Sequence, residues 1–205
     1  MQRQLVWAGT DAWRAESALV AAGEGRFAAT GVQLGVLPVP YRLDYRLEAG
    51  PAWVTRLLDV TAVGRGWRRS ARLTRDDAGQ WAYRAVALGE SDLPEPVCDP
   101  GSFEGALDCD LGLSPLTNTM PMLRQGLHES PGAVDLTMAW MSVPDLAVAA
   151  SAQRYDYVGT TAAGSAVRFS SGSFVADLTV DGDGFVIDYP GLARRVAGDG
   201  PPGAP

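Results

Sequence analysis

Asp108 and Asp110 stand one residue apart in Leu107–Arg124 (LDCDLGLSPLTNTMPMLR), the stretch of this chain with the most chemistry in it. On a strand, an i,i+2 pair places both carboxylates on one face, roughly 7 Å apart. Such a pair can do general acid/base work or hold a hard cation. Both uses need more ligands or a partner with a raised pKa. The sequence that follows offers Thr117, Asn118 and Thr119 between Pro115 and Pro121, and then Arg124. The two acids can equally accept hydrogen bonds from loop amides or pair with Arg124. Structural bonding, ligand contact and catalysis therefore all stay open. The segment itself reads as a long uncharged loop, stiffened by proline and charged at both ends.

Elsewhere the chain offers little to a catalyst. His128 is the sole histidine, so any Ser-His-Asp or Cys-His arrangement must pass through it. It lies in Gly126–Pro131, which reads as the exposed turn of a hairpin. There is no GxSxG elbow, no phosphate loop and no GxGxxG opening a helix. All seventeen basic residues are arginine, which excludes Schiff-base lysines, a phosphate-loop lysine and a Ser-Lys dyad. Cys98 and Cys109 match neither a zinc knuckle nor a CxxC site, and read as two reduced structural thiols. Asp181–Gly184 opens like a calcium loop, but Leu192 stands where the twelfth-position Glu belongs, so it reads as a turn. No metal or other cofactor is expected.

The elements that must position these residues are strands. Tyr41, Leu43, Tyr45 and Leu47 alternate with Arg42, Asp44 and Arg46, and Phe174, Ala176, Leu178 and Val180 repeat the pattern. Period two buries one face and wets the other. Val54–Val60, Trp67–Leu73 and Trp81–Ala85 read likewise, with hairpin turns at Asp76–Gly79 and Asp181–Gly184. Asp11–Gly23 has the alanines and the capping residues of a helix, yet Trp13–Ser17 also alternates, and we read it as a strand that its neighbours hold in register. Glu90–Gly105 is loop-like, and Gly198–Pro205 (GDGPPGAP) reads as a disordered tail behind one domain over residues 1–197. Regularly spaced strands predict an all-β antiparallel meander, a large sheet curled into an incomplete barrel or roll with few or no helices. The six Trp, six Tyr and five Phe then belong either to its core or to a concave binding face.

Composition narrows the partners. The formal charge is −7, which argues against nucleic acid, because phosphate neutralisation supplies most of that affinity. Arg42–Arg84 is locally basic, with nine Arg against five acids, enough to meet one anionic head group. The longest uncharged run, Phe27–Tyr41, has fifteen residues and two prolines, too short and broken to span a bilayer. The N-terminus lacks a signal-peptide apolar region, so a cytoplasmic location is expected.

Several of these pieces together resemble the putative glycolipid-binding protein family, a bacterial domain. They are Asp108-Cys109-Asp110-Leu111, Ser114–Pro121 with its TNTxP element, Arg124, Trp7, Glu16, Tyr45, Trp53–Arg56, Asp76–Trp81, Gln153-Arg154-Tyr155, Val180–Gly184 and Val186–Arg195 with its DYPGL element. The resemblance spans residues 5–195. It implies a spiral β-roll, similar in shape to the carriers that ferry bacterial lipoproteins. It also implies non-enzymatic binding of a glycolipid or another amphiphile. Acyl chains would lie on the concave apolar face, with the polar head near Asp108, Asp110, Thr117, Asn118, Arg124 and Tyr155. The alternatives are a scaffold that pairs through its edge strands, and a hydrolase or isomerase built on Asp108 and Asp110.

Overall fold

In the computed structural model, residues 1–198 are described, and every strand belongs to one fourteen-stranded sheet. The first seven strands are β1 (Gln2–Gly9), β2 (Arg14–Gly23), β3 (Arg26–Gly35), β4 (Tyr41–Ala49), β5 (Thr55–Gly64), β6 (Trp67–Arg75) and β7 (Trp81–Gly89). The second seven are β8 (Asp108–Leu111), β9 (Ala133–Met141), β10 (Val148–Thr161), β11 (Gly164–Ser171), β12 (Phe174–Val180), β13 (Val186–Tyr189) and β14 (Ala193–Gly198). Each half is a meander, and the two are sewn together where β1 pairs with β14. All pairings are antiparallel except β8 with β9, and the sheet is not closed: β7 and β8 are its two edges. The all-β curled sheet expected from the alternation is therefore present.

The strand assigned within Asp11–Gly23 forms as β2, with the chain bending over Asp11–Trp13 before it. Backbone bonds to β1 and β3 over its whole length outweigh the helical preference of its alanines. The turns at Asp76–Gly79 and Asp181–Gly184 join β6 to β7 and β12 to β13. In the second turn the Asp181 carboxylate accepts from the amides of Asp183 and Phe185 and pairs with Arg195, which is turn chemistry. The proposed tail lies outside the described residues, apart from Gly198, which ends β14 opposite Leu5.

Leu107–Arg124 is not one loop. Its first part is strand β8, and after a tight turn at Leu113 it forms a 3-10 turn (Leu116–Asn118) and helix α1 (Thr119–Gln125). Pro121 sits in the first turn of α1, where no amide donor is needed, and Gly126 ends the helix in the left-handed conformation. Proline at a helix start and glycine at its end are local signals, and the loop reading passed over both.

This segment fills the roll. Leu116 and Met120 pack into the core built by the inner faces of β1–β7, around Leu43, Leu47, Leu58, Val60 and Leu73. Met122 and Leu127 pack into a second core under β10–β13, with Tyr155, Val167, Phe169 and Leu178. The crossing chain between β7 and β8 adds Leu93, Phe103 and Ala106. It is pinned from below by inward-facing Arg69, which donates to the carbonyls of Leu93, Pro94 and Asp145. Trp81 and Arg75 both donate to the Ala106 carbonyl. The inner aromatics are core, and the concave face expected to stay open is covered by the chain itself.

Candidate functional site

Three places could serve a ligand: the Asp108/Asp110 network, a small polar cleft at Glu16, and the outer face of β1–β3.

The six residues expected to contact a ligand do come together, but as a closed lock. Arg124 makes a bidentate pair with Asp108, whose side chain is 1% exposed. Asp110 lies on the same side of β8 and accepts from Thr117 at 2.7 Å and from Gln153 at 2.7 Å. Tyr155 donates to Asn118 Oδ1 at 2.8 Å, and Asn118 donates to the Pro115 carbonyl at 3.3 Å. Gln153, which belongs to a family-like motif but was not expected at the site, joins Asp110 to Tyr155. Burial pushes both carboxyls above the ordinary range, against Arg124 at Asp108 and against Thr117 and Gln153 at Asp110. The network ties β8, the 3-10 turn, α1 and β10 together, and within it Arg124 Nε has no partner in the chain.

His128 follows α1 rather than crowning a hairpin. Its imidazole is largely buried beside Gly184, 3.4 Å from the exposed carboxylate of Glu129. Cys98 and Cys109 are free thiols, and burial pushes them up to about 11 and about 12, out of the reactive range. Among the described residues no group of three or more His, Cys, Asp or Glu side chains is placed to hold a metal.

The second place was legible only as an anomaly. Along β2 the inward positions read Arg14, Glu16, Ala18, Val20 and Ala22, so an acid falls where the alternation demands an apolar side chain. Glu16 is 4% exposed, and among the described residues no Arg or His lies within ion-pair distance of it. Its Oε1 accepts from Tyr45 at 2.6 Å and from Ser114 at 2.7 Å, and its Oε2 from Gln33 at 3.4 Å. Burial outweighs these bonds and raises the carboxyl to about 7. Beside it lies a cleft of about 10 Å³, bounded by Trp7, Arg14, Gln33, Tyr41 and Leu113.

The third place is the outside of the sheet. Outward residues of β1 (Gln4, Val6, Ala8), β2 (Ala15, Ser17, Leu19, Ala21) and β3 from Ala28 onward (Ala28, Thr30, Val32, Leu34) carry no charge, and Arg26 stands at the start of the β3 outer face. The band is bordered on β4 by Arg42, Asp44, Arg46 and Glu48. At one end Leu19, Ala21 and Ala28 floor a groove of about 480 Å³, walled by Gln2, Arg46 and Glu48. At the other end a hollow of about 350 Å³ lies between Trp13, Leu34, Val36 and Pro40. Trp13 is 64% exposed and Leu37 61%, which is unusual for side chains so apolar.

Taken together, the molecule is an all-β roll with an unclosed sheet, an interior filled by its own chain, a neutral outer band and a buried acid network. The chain belongs to the family described as "Putative glycolipid-binding", which matches residues 4–195. Among solved structures it is similar to a DUF1089 family protein from Pseudomonas aeruginosa. The two are 27% identical with a TM-score of 0.66, over 91% of this chain and 93% of the other. No curated protein matches it. Among the described residues, no helix is long and apolar enough to cross a membrane.

Proposed function

We propose that the protein binds an amphiphile, a glycolipid or a close chemical relative, without transforming it. Family membership supports the binding role. The observation that carries the location is the neutral outer band of β1–β3 with its ligand-sized groove. Pockets for small molecules occupy roughly 300–1,000 Å³, and the groove floored by Leu19, Ala21 and Ala28 falls in that range at about 480 Å³. An acyl chain on the concave face would have to displace Leu116, Met120 and Phe103, each fully buried. On the outer band it displaces only water. A dozen methylenes half-covered there would contribute on the order of 5 kcal/mol before ordering costs, at about 0.8 kcal/mol each when fully buried.

The test is mass spectrometry of the natively purified chain, followed by titration with a lipid extract. Co-purified amphiphile, lost when Ala28→Glu places a charge on the groove floor, is the expected result. Binding that survives Ala28→Glu but disappears when the interior plug is altered by Met120→Glu would move the ligand to the concave face. No ligand in either measurement would sink the reading.

A second reading rests on β7. It is an open edge whose outward Val86 and Leu88 are exposed, as a strand would be that pairs with a partner sheet. Concentration-dependent sedimentation, abolished by Val86→Lys, would favour that scaffold role.

A further inference from the structure

Eight buried side-chain polar atoms among the described residues have no hydrogen-bond partner within the chain, and three of them, Arg14 Nε, Gln33 Oε1 and Tyr41 Oη, belong to side chains lining the small cleft beside Glu16. Buried polar groups are nearly always bonded, so three orphans around one opening mark a place that something polar completes. We infer that this cleft is a recognition subsite for a neutral hydroxyl, the outermost group of a sugar head on the amphiphile. The inference rests on the proposed binding role and adds the chemistry of the head group.

The donor and acceptor pattern selects a hydroxyl. Arg14 Nε can only donate, Gln33 Oε1 can only accept, and Tyr41 Oη can do either. The Gln33 amide nitrogen faces Glu16 Oε2 and the Gly112 carbonyl, each at 3.4 Å, which leaves its Oε1 toward the cleft. A hydroxyl accepts from Arg14 while donating to Gln33. A sulfate ester has no proton to give Gln33. An ammonium has no lone pair for Arg14 and meets its guanidinium.

Size sets how the head group sits. About 10 Å³ holds one oxygen and its proton, not a ring. The ring must therefore rest outside, and the hollow of about 350 Å³ adjoins the cleft through Leu34 and Tyr41, which line both. There the exposed indole of Trp13 offers an apolar face to the C–H side of a sugar. From this hollow the neutral band runs back along β2 and β3 toward the groove at Ala21 and Ala28. Head and tail positions thus lie at opposite ends of one strip.

The test is calorimetric titration of the full chain with octyl glucoside and with octyl sulfate, both below their micelle concentrations. The two share a tail and differ in the head. The glucoside is expected to bind at least tenfold more tightly. Tyr41→Phe, which deletes only the unpartnered Oη, should weaken the glucoside about fivefold and leave octyl sulfate and the melting temperature unchanged. Trp13→Ala, at an exposed turn, should also weaken the glucoside alone. If Tyr41→Phe and Trp13→Ala bind the glucoside as the parent does, or if the parent binds both compounds alike, the subsite is refuted and amphiphile binding stands. If neither compound binds, subsite and binding role fall together.

Discussion

Tyr45 on β4 donates a 2.6 Å hydrogen bond to Glu16 on β2, and it reaches across β3 because Gly31 lies beneath its ring. A Cβ at Gly31 would stand 2.3 Å from the Tyr45 ring. The glycine thus lets a phenol lie flat over a neighbouring strand and bond a buried carboxyl. The same reach brings Ser114 of the interior plug onto Glu16 Oε1 at 2.7 Å, so the polar cluster joins the sheet to what fills it.

Gly31→Ala should therefore destabilise the fold by about 1–3 kcal/mol, the usual cost of forcing atoms into a filled core. Urea denaturation measures it. Tyr45→Phe, which keeps the ring and deletes the bond, should cost a similar amount and raise the Glu16 carboxyl further. Wild-type stability in the glycine variant would mean that the Tyr45 ring can move aside.

The Glu16 carboxyl ionises near 4.5 in the unfolded chain and near 7 in the folded one. Between those values the folded state holds a proton that the unfolded state has lost. The associated stability is complete below about pH 4.5 and is lost as pH rises through 7, roughly 3 kcal/mol at 1.36 kcal/mol per unit. Glu16→Gln cannot titrate and should lack this slope, while sharing the contributions of Asp108 and Asp110. Parallel pH profiles for parent and variant would refute the shift.

Arg124→Met should cost about 3–5 kcal/mol, because it strands the Asp108 carboxylate without its cation. The double variant Asp108→Asn/Arg124→Met should cost less than the two single changes added together, since neither charge is then left alone. Thermal melts of the four proteins close the cycle. Additive losses would show that the two side chains do not act as a pair.

Ala28→Glu lies on the outer surface and should leave unfolding within about 0.5 kcal/mol of the parent, yet reduce amphiphile affinity at least tenfold. Titration with the lipid extract alongside a urea curve separates the two effects. An unchanged affinity would remove the groove from the binding surface.

Much of the fold could be read from alternation alone. Tyr41–Leu47 and Phe174–Val180 are strands with the faces expected, and the turns at Asp76–Gly79 and Asp181–Gly184 fall between the strands they were assigned to join. The structure brings Asp108, Asp110, Thr117, Asn118, Arg124 and Tyr155 into one buried network. Types and spacing show that two acids share a face and leave open what covers it. Gln153 and Arg124 cover these acids, and β10 supplies Gln153 from forty-three residues away. The Glu16 cleft was hidden for a related reason: its members come from β1, β2, β3, β4, β14 and the Leu113–Pro115 turn, which no local pattern brings together.

By itself the sequence determined the alternating strands β4 to β7 and β12 with their inward and outward faces, two turns and the family, because each depends on neighbours within a few residues or on short motifs. Only the tertiary structure decided that β1 and β14 join the halves, that Leu107–Arg124 folds into a strand and a helix inside the roll, and that the open surface lies outside rather than within. Those outcomes depend on which faces meet once the sheet curls. Curling is a collective result of twist and burial over fourteen strands, and no single segment encodes it.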